Sequence, residues 1–128
     1  MKFFTALALA ASGLLTSVPL AAHHGDAIYD VTAKNVTMKG SVTEWVWANP
    51  HCVFRFDVAD NGQVAHWVAE TTAPPSLVQR GWTKQSLKPG DQVTVTVLPV
   101  KNGRTVGRLI GVVLPDGQKL PRGESAQN

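Results

Sequence analysis

Hydrophobic and polar positions alternate along three neighbouring stretches of the chain. "SVTEWVWA" (Ser41–Ala48), "CVFRFDVA" (Cys52–Ala59) and "QVAHWVAE" (Gln63–Glu70) are rich in Val, Phe and Trp. A period near two with this composition predicts half-buried β-strands. Next, Pro74 and Pro75 open a short helix and Gly81 closes it. The turn "LKPGD" leads into a fourth strand, Gln92–Leu98, and "KNGRT" turns the chain into a fifth, "VGRLIGVVL". Gly107 and Gly111 interrupt that fifth strand, which ends at the turn Asp116-Gly117. Three strands, one helix and two strands is the order of an all-β, five-stranded OB-like barrel with one short helix between strands 3 and 4. An open, sandwich-like sheet of the same strands is the alternative.

The register follows from the turns. Asn61-Gly62 is a strong two-residue hairpin signal. With that turn Phe56 faces Trp67, Phe54 faces Ala69 and Val58 faces Ala65, which makes one apolar face. The other face sets Asp57 against His66, Arg55 against Val68 and Val53 against Glu70. A turn at Asn49-Pro50 sets Trp45 against Phe54, Trp47 against Cys52 and Glu44 against Arg55. Both hairpins put the core on the same side, and a slip of one residue would reverse that.

The start of the chain reads differently. "MKFFTALALAASGLLTSVPLAA" has one basic residue, Lys2, an apolar run and small residues at Ala21 and Ala22. This is the pattern of a secretory signal peptide over 1–22, too short in its apolar part to span a bilayer. Residues 23–128 then form a single domain. The chain has 12 basic and 9 acidic residues, and Lys2 is the one basic residue of the leader. The near-neutral remainder has no basic run, which argues against nucleic acid as a partner. No cysteine lies near the junction to carry a lipid anchor, and the single Cys52 excludes an internal disulfide. A periplasmic or secreted monomer is expected.

The strand geometry sorts the histidines. His66 opposes Asp57, and such a pair is ordinary sheet stabilisation. His51 begins the second strand on the polar face, diagonal to Glu70, so the two can share a ligand or Glu70 can orient the imidazole. His66 lies six residues farther along, roughly 20 Å from His51, too far to share an ion. Cys52 points to the opposite face from His51 and reads as a core residue. Trp45, Trp47 and Trp67 fall on the core face, so they fill the barrel rather than form a sugar platform.

If the leader is cut after Ala22, His23 carries a free α-amine beside its own imidazole, with His24 adjacent. A nitrogen-rich chelate of this kind suits Cu(II). A cut after Ala21 leaves Ala22-His23-His24, where a histidine in third position also chelates copper. The candidate metal set is therefore His23, His24, His51 and Glu70, with Asp26 as a further donor.

The segments "AHHGDAIYD", "GSVTEWVWANPH", "RGWTKQSLKPGDQVTV" and "LPDGQKL" together resemble a family of small secreted bacterial proteins known only as a domain of unknown function. Its members read "AHHSF…YD", "GTVTEFxWxNPH" and "GDxVTVxGxP". The resemblance implies a bacterial periplasmic or secreted protein and singles out His23, His24, Asn49, Pro50, His51 and Glu70 as the polar positions. This chain has Gly25 where serine is usual and Leu98 where glycine often precedes the proline.

The expected function is a non-enzymatic binding domain that takes a transition metal, copper above all, through the terminal histidines and His51. The alternative is a metal-free OB-like module for a peptide, glycan or partner protein, with Glu44, Arg55 and Trp82 as its contacts. His51 and Glu70 could also pair as base and orienter in an enzyme. Against that, no nucleophile stands at a recognisable turn and no phosphate loop is present.

Overall fold

The computed structural model describes residues 28–121. The expected leader, His23, His24 and Asp26 lie outside the described residues. Six strands and one helix follow in order: β1 (Val36–Val46), β2 (Val53–Asp60), β3 (Gln63–Glu70), α1 (Pro74–Gln79), β4 (Gln92–Pro99), β5 (Val106–Val113) and β6 (Lys119–Leu120). The sheet order is β3-β2-β1-β4-β5-β6, and β3 also pairs with β5. That last pairing is parallel and brings Val68 to Val106, Ala69 to Gly107 and Glu70 to Arg108. It closes β1 to β5 into a barrel, as expected, with one short helix between β3 and β4. The two-residue β6, which pairs with the end of β5, is an addition the pattern did not suggest.

Both hairpin registers hold. Across β2 and β3, Phe54 faces Ala69, Phe56 faces Trp67, Val58 faces Ala65 and Asp57 faces His66. Across β1 and β2, Glu44 faces Arg55 and Trp45 faces Phe54. Beyond that point a shift in register between Val42 and Glu44 leaves Thr43 as the extra residue. A bulge of this kind puts two residues against one, so Val42 and Trp45, three apart, can both point inward. Val42 is buried against Phe56 as a result.

The first strand is longer than expected, starting at Val36 rather than Ser41. Its first half pairs with β4, from Val36–Val97 to Ser41–Gln92, and its second half with β2. One strand thus serves both sides of the barrel. Gly40 marks the point of closest approach: a Cβ there would lie 2.8 Å from the Asp57 carbonyl oxygen and 2.9 Å from the Phe56 ring. Only glycine fits without a shift of the backbone.

Phe54, Phe56, Ala69, Val95 and Val97 are fully buried, and the rings of Phe54 and Phe56 stack at 4.8 Å between centroids. Such rings each bury 150 Å² or more and dominate a small core. Helix α1 closes one end. Leu77 is buried on its inner side, and Gly81, at φ 88°, takes the left-handed position past its last turn. Trp82 N–H bonds the Leu77 carbonyl at 3.0 Å and Gly81 N–H bonds that of Val78 at 3.1 Å. These are the two bonds of a Schellman motif, completed by burial of Trp82 with Leu77. The motif fixes where Arg80, the C-cap, leaves the helix.

Candidate functional site

Ile28, Tyr29 and Asp30, ahead of β1, pack on the barrel where β4 ends. Tyr29 makes a single antiparallel bridge with Val100. Asp30 N–H bonds the Pro99 carbonyl at 2.9 Å and Lys101 N–H bonds that of Ile28 at 3.1 Å. The segment then turns away at Asp30, whose Oδ1 accepts from the Thr32 hydroxyl at 2.6 Å and from the amides of Thr32 and Ala33 at 3.1 Å. The Thr32 hydroxyl is the main reason that the Asp30 carboxyl is held below its ordinary range.

This placement sinks Tyr29 into the seam between β3 and β5. Only 6% of its surface remains exposed. Its hydroxyl donates to Glu70 Oε2 at 2.5 Å, and the Arg108 guanidinium lies over its ring, 4.4 Å from the centroid. Burial, then the hydrogen bond and negative charge of Glu70, push the Tyr29 hydroxyl up to about 12, against the opposing effect of Arg108. A residue from the N-terminal segment, one from β3 and one from β5 thereby share one polar cluster.

Around that cluster opens a cleft of about 350 Å³, whose lining includes Tyr29, His51, Glu70, Thr72, Arg80 and Arg108. His51 and Glu70 therefore come together in one cleft, as the register suggested. The ladder between them runs on past β3: Cys52 N–H bonds the Thr72 carbonyl at 2.9 Å and Thr71 N–H bonds the Cys52 carbonyl at 3.2 Å. Two residues stand against one there, a bulge at the rim of a barrel. Cys52 faces inward, fully buried, and burial pushes its thiol up, as befits a core residue rather than a ligand.

His66 is elsewhere, on the outer face, with Nδ1 2.6 Å from Asp57 Oδ1. Glu44 and Arg55 form an ion pair at 3.0 Å. The tryptophans only partly follow expectation. Trp45, Trp47 and Trp67 pack on the core while staying half-buried, and Trp45 lies 5.5 Å from Trp82 between ring centroids. Trp82 itself is 2% exposed, which removes it as a contact for a glycan or peptide: the Schellman motif turns its ring into the core. Among the described residues no three His, Cys, Asp or Glu side chains form a group able to hold a metal ion.

Tyr29, Arg80 and Arg108 are the ionisable cleft residues that sequence reasoning left out. Tyr29 belongs to the quoted segment "AHHGDAIYD", which was the available signal. Arg108 enters through a parallel pairing between β3 and β5, which no local pattern encodes. A second, more open groove of about 540 Å³ runs past Lys39, Gly40, Asp57 and Gln92, but its one carboxylate is the partner of His66.

With the geometry established, comparison with known proteins adds one match. Residues 12–109 match the model of DUF6152, a family of unknown function. The chain belongs to this family. The match takes in β1 to β4 and the first half of β5, including His51, Glu70, Arg80 and Arg108. No curated protein and no solved structure shows significant similarity to the chain.

Proposed function

We propose that this DUF6152 member is a periplasmic or secreted, non-enzymatic binding domain that holds a copper ion through His23, His24 and His51, with Glu70 assisting. The observation that carries the reading is the docking of Ile28 and Tyr29 in the cleft that His51 and Glu70 line. His24 lies four residues before Ile28, and a chain spans at most about 3.6 Å per residue, so His24 is tethered within about 14 Å of Ile28. The terminal histidines are thus tied by covalent geometry to the neighbourhood of His51.

The donors present fit a shared site and not a self-contained one. The cleft itself supplies His51 and Glu70, and Glu70 Oε2 already accepts from Tyr29. A copper ion here needs the amine and imidazole of a mature terminus, a donor set matched to Cu(II). Glu70 then contributes its charge and its hold on Tyr29, which keeps the N-terminal segment against the barrel.

The test is native mass spectrometry of the protein purified from the periplasm, with and without one equivalent of Cu(II). The expected apo mass starts at Ala22 or His23, with one copper retained and its retention lost in His23→Ala and His51→Ala. A cut beyond His24, or the same copper retention in His51→Ala, would overturn the reading.

A further inference from the structure

The same cleft carries an excess of positive charge that copper coordination does not use. Its ionisable lining comprises Arg80, Arg108, Glu70, His51 and Tyr29. Arginine stays protonated at any physiological pH, so two fixed positive charges face one carboxylate. That carboxylate is engaged by the Tyr29 hydroxyl, and Arg108 is stacked on the Tyr29 ring. Arg80 differs: it is exposed, stands at the C-cap of α1, and makes no ion pair among the described residues. Threonines 71 and 72 add hydroxyl groups to the wall, and Ile28, Val53 and Leu109 add apolar surface.

We infer that the cleft is a binding site for a small organic carboxylate, with Arg80 as its principal anchor and Ile28, Val53 and Leu109 packing its apolar body. The guanidinium fork matches a carboxylate in two parallel hydrogen bonds, which sets orientation as well as affinity. Thr72, which also lines the cleft, completes the polar shell. The volume, about 350 Å³, stands at the lower end of the roughly 300–1,000 Å³ typical of small-molecule clefts, so the ligand is a single ring or short chain rather than a peptide or glycan. Glu70 opposes the ligand's charge and, by holding Tyr29, shapes one wall of the cleft. The inference is independent of copper, because neither arginine is a metal donor.

The experiment is a titration of the metal-free protein, kept in EDTA, followed by backbone amide NMR. Benzoate is the probe, with benzyl alcohol and phenyl phosphate as comparison arms. Benzoate shifts the Thr71, Thr72 and Arg80 amides saturably, and benzyl alcohol does not. Arg80→Ala weakens benzoate by about tenfold, the scale of a lost charge-assisted hydrogen-bond pair, and Arg80→Lys restores part of it. Glu70→Gln, which removes the opposing charge and keeps an acceptor for Tyr29, tightens binding. Arg80 is exposed at a helix end, and an unchanged amide spectrum away from the cleft confirms that its variants fold. Absence of saturable benzoate shifts up to about 10 mM, a range that covers weak ligands, overturns the proposal. So does equal affinity in Arg80→Ala, and so does binding of phenyl phosphate in preference to benzoate.

Discussion

Two polar clusters of this barrel are built in opposite ways. At the β2–β3 hairpin Asp57 and His66, nine residues apart, meet at 2.6 Å. At the barrel seam Tyr29 and Glu70, 41 residues apart, meet at 2.5 Å, and Arg108 joins them from β5. The hairpin pair depends on one turn and one register. The seam cluster exists only if the barrel closes and the N-terminal segment docks. Accordingly, His66 has 81% of its side chain exposed, while Tyr29 is buried to 6%. A local pair decorates a strand; the long-range one holds elements together and leaves a cleft beside it.

The sharpest way to break the comparison is at the seam itself. Gly107 lies in β5 opposite Ala69, and a Cβ there would come within 2.8 Å of the Leu98 carbonyl oxygen and 2.9 Å of Val97 Cβ. The neighbours are backbone and a fully buried valine, so neither can swing aside. Gly107→Ala is therefore expected to cost about 3 kcal/mol, the upper range for overpacking, in urea unfolding. Cysteine labelling of Cys52 should speed up with it, since that thiol is covered only while the barrel is shut. A loss under about 0.5 kcal/mol, the range of neutral surface changes, would mean that β5 has slack against β4 beside the seam.

The hairpin and the seam also differ in how far the sequence revealed them. The β2–β3 register, the inward face of Phe54, Phe56 and Trp67, and the pairing of Asp57 with His66 were all legible, because one Asn-Gly turn and an alternating pattern determine them. The order of β1 to β5 along the chain was legible from the same alternation, and the helix between β3 and β4 from Pro74, Pro75 and Gly81. The bulge at Thr43, the close approach at Gly40 and the start of β1 at Val36 were not. Each arises from one strand serving two neighbours, a tertiary demand that local alternation does not record. In the candidate site, His51 and Glu70 were found together because they share a hairpin. Tyr29, Arg80 and Arg108 were missed because they reach the cleft from three other elements.

The second prediction concerns Tyr29. Tyr29→Phe keeps the ring under Arg108 and deletes the hydrogen bond to Glu70, leaving a half-buried carboxylate with one partner fewer. About 1.5–3 kcal/mol of stability is expected to go, the usual size for a hydrogen bond to a charged group. The pH dependence is more telling. The hydroxyl is raised from 10.0 to about 12 in the folded protein, so the folded state binds its proton more tightly than the unfolded chain does. Its contribution is fully present below about pH 10 and disappears as pH rises through about 12. Denaturant unfolding at several pH values should show the two proteins converging over that window. A constant difference between them would assign the effect to packing instead.

The smallest effect belongs to the hairpin, and its smallness is the point. His66→Ala removes one partner of an exposed pair, and such pairs contribute about 0–1 kcal/mol. Asp57 is only partly covered, so water takes over as its partner and little desolvation penalty remains. A stability loss near 0.5 kcal/mol is expected, with the β2–β3 amide shifts otherwise unchanged, because Phe54, Phe56 and Trp67 fix the register from the other face. With His66 protonated, raising the salt concentration should shrink the difference further, since an exposed ion pair is screened, whereas the Tyr29→Phe difference should persist. If His66→Ala instead cost as much as Tyr29→Phe and resisted salt, sequence separation would not be what divides the two clusters. The Asp57–His66 pair would then have to be treated as a structural clamp of the β2–β3 hairpin, on the same footing as the seam.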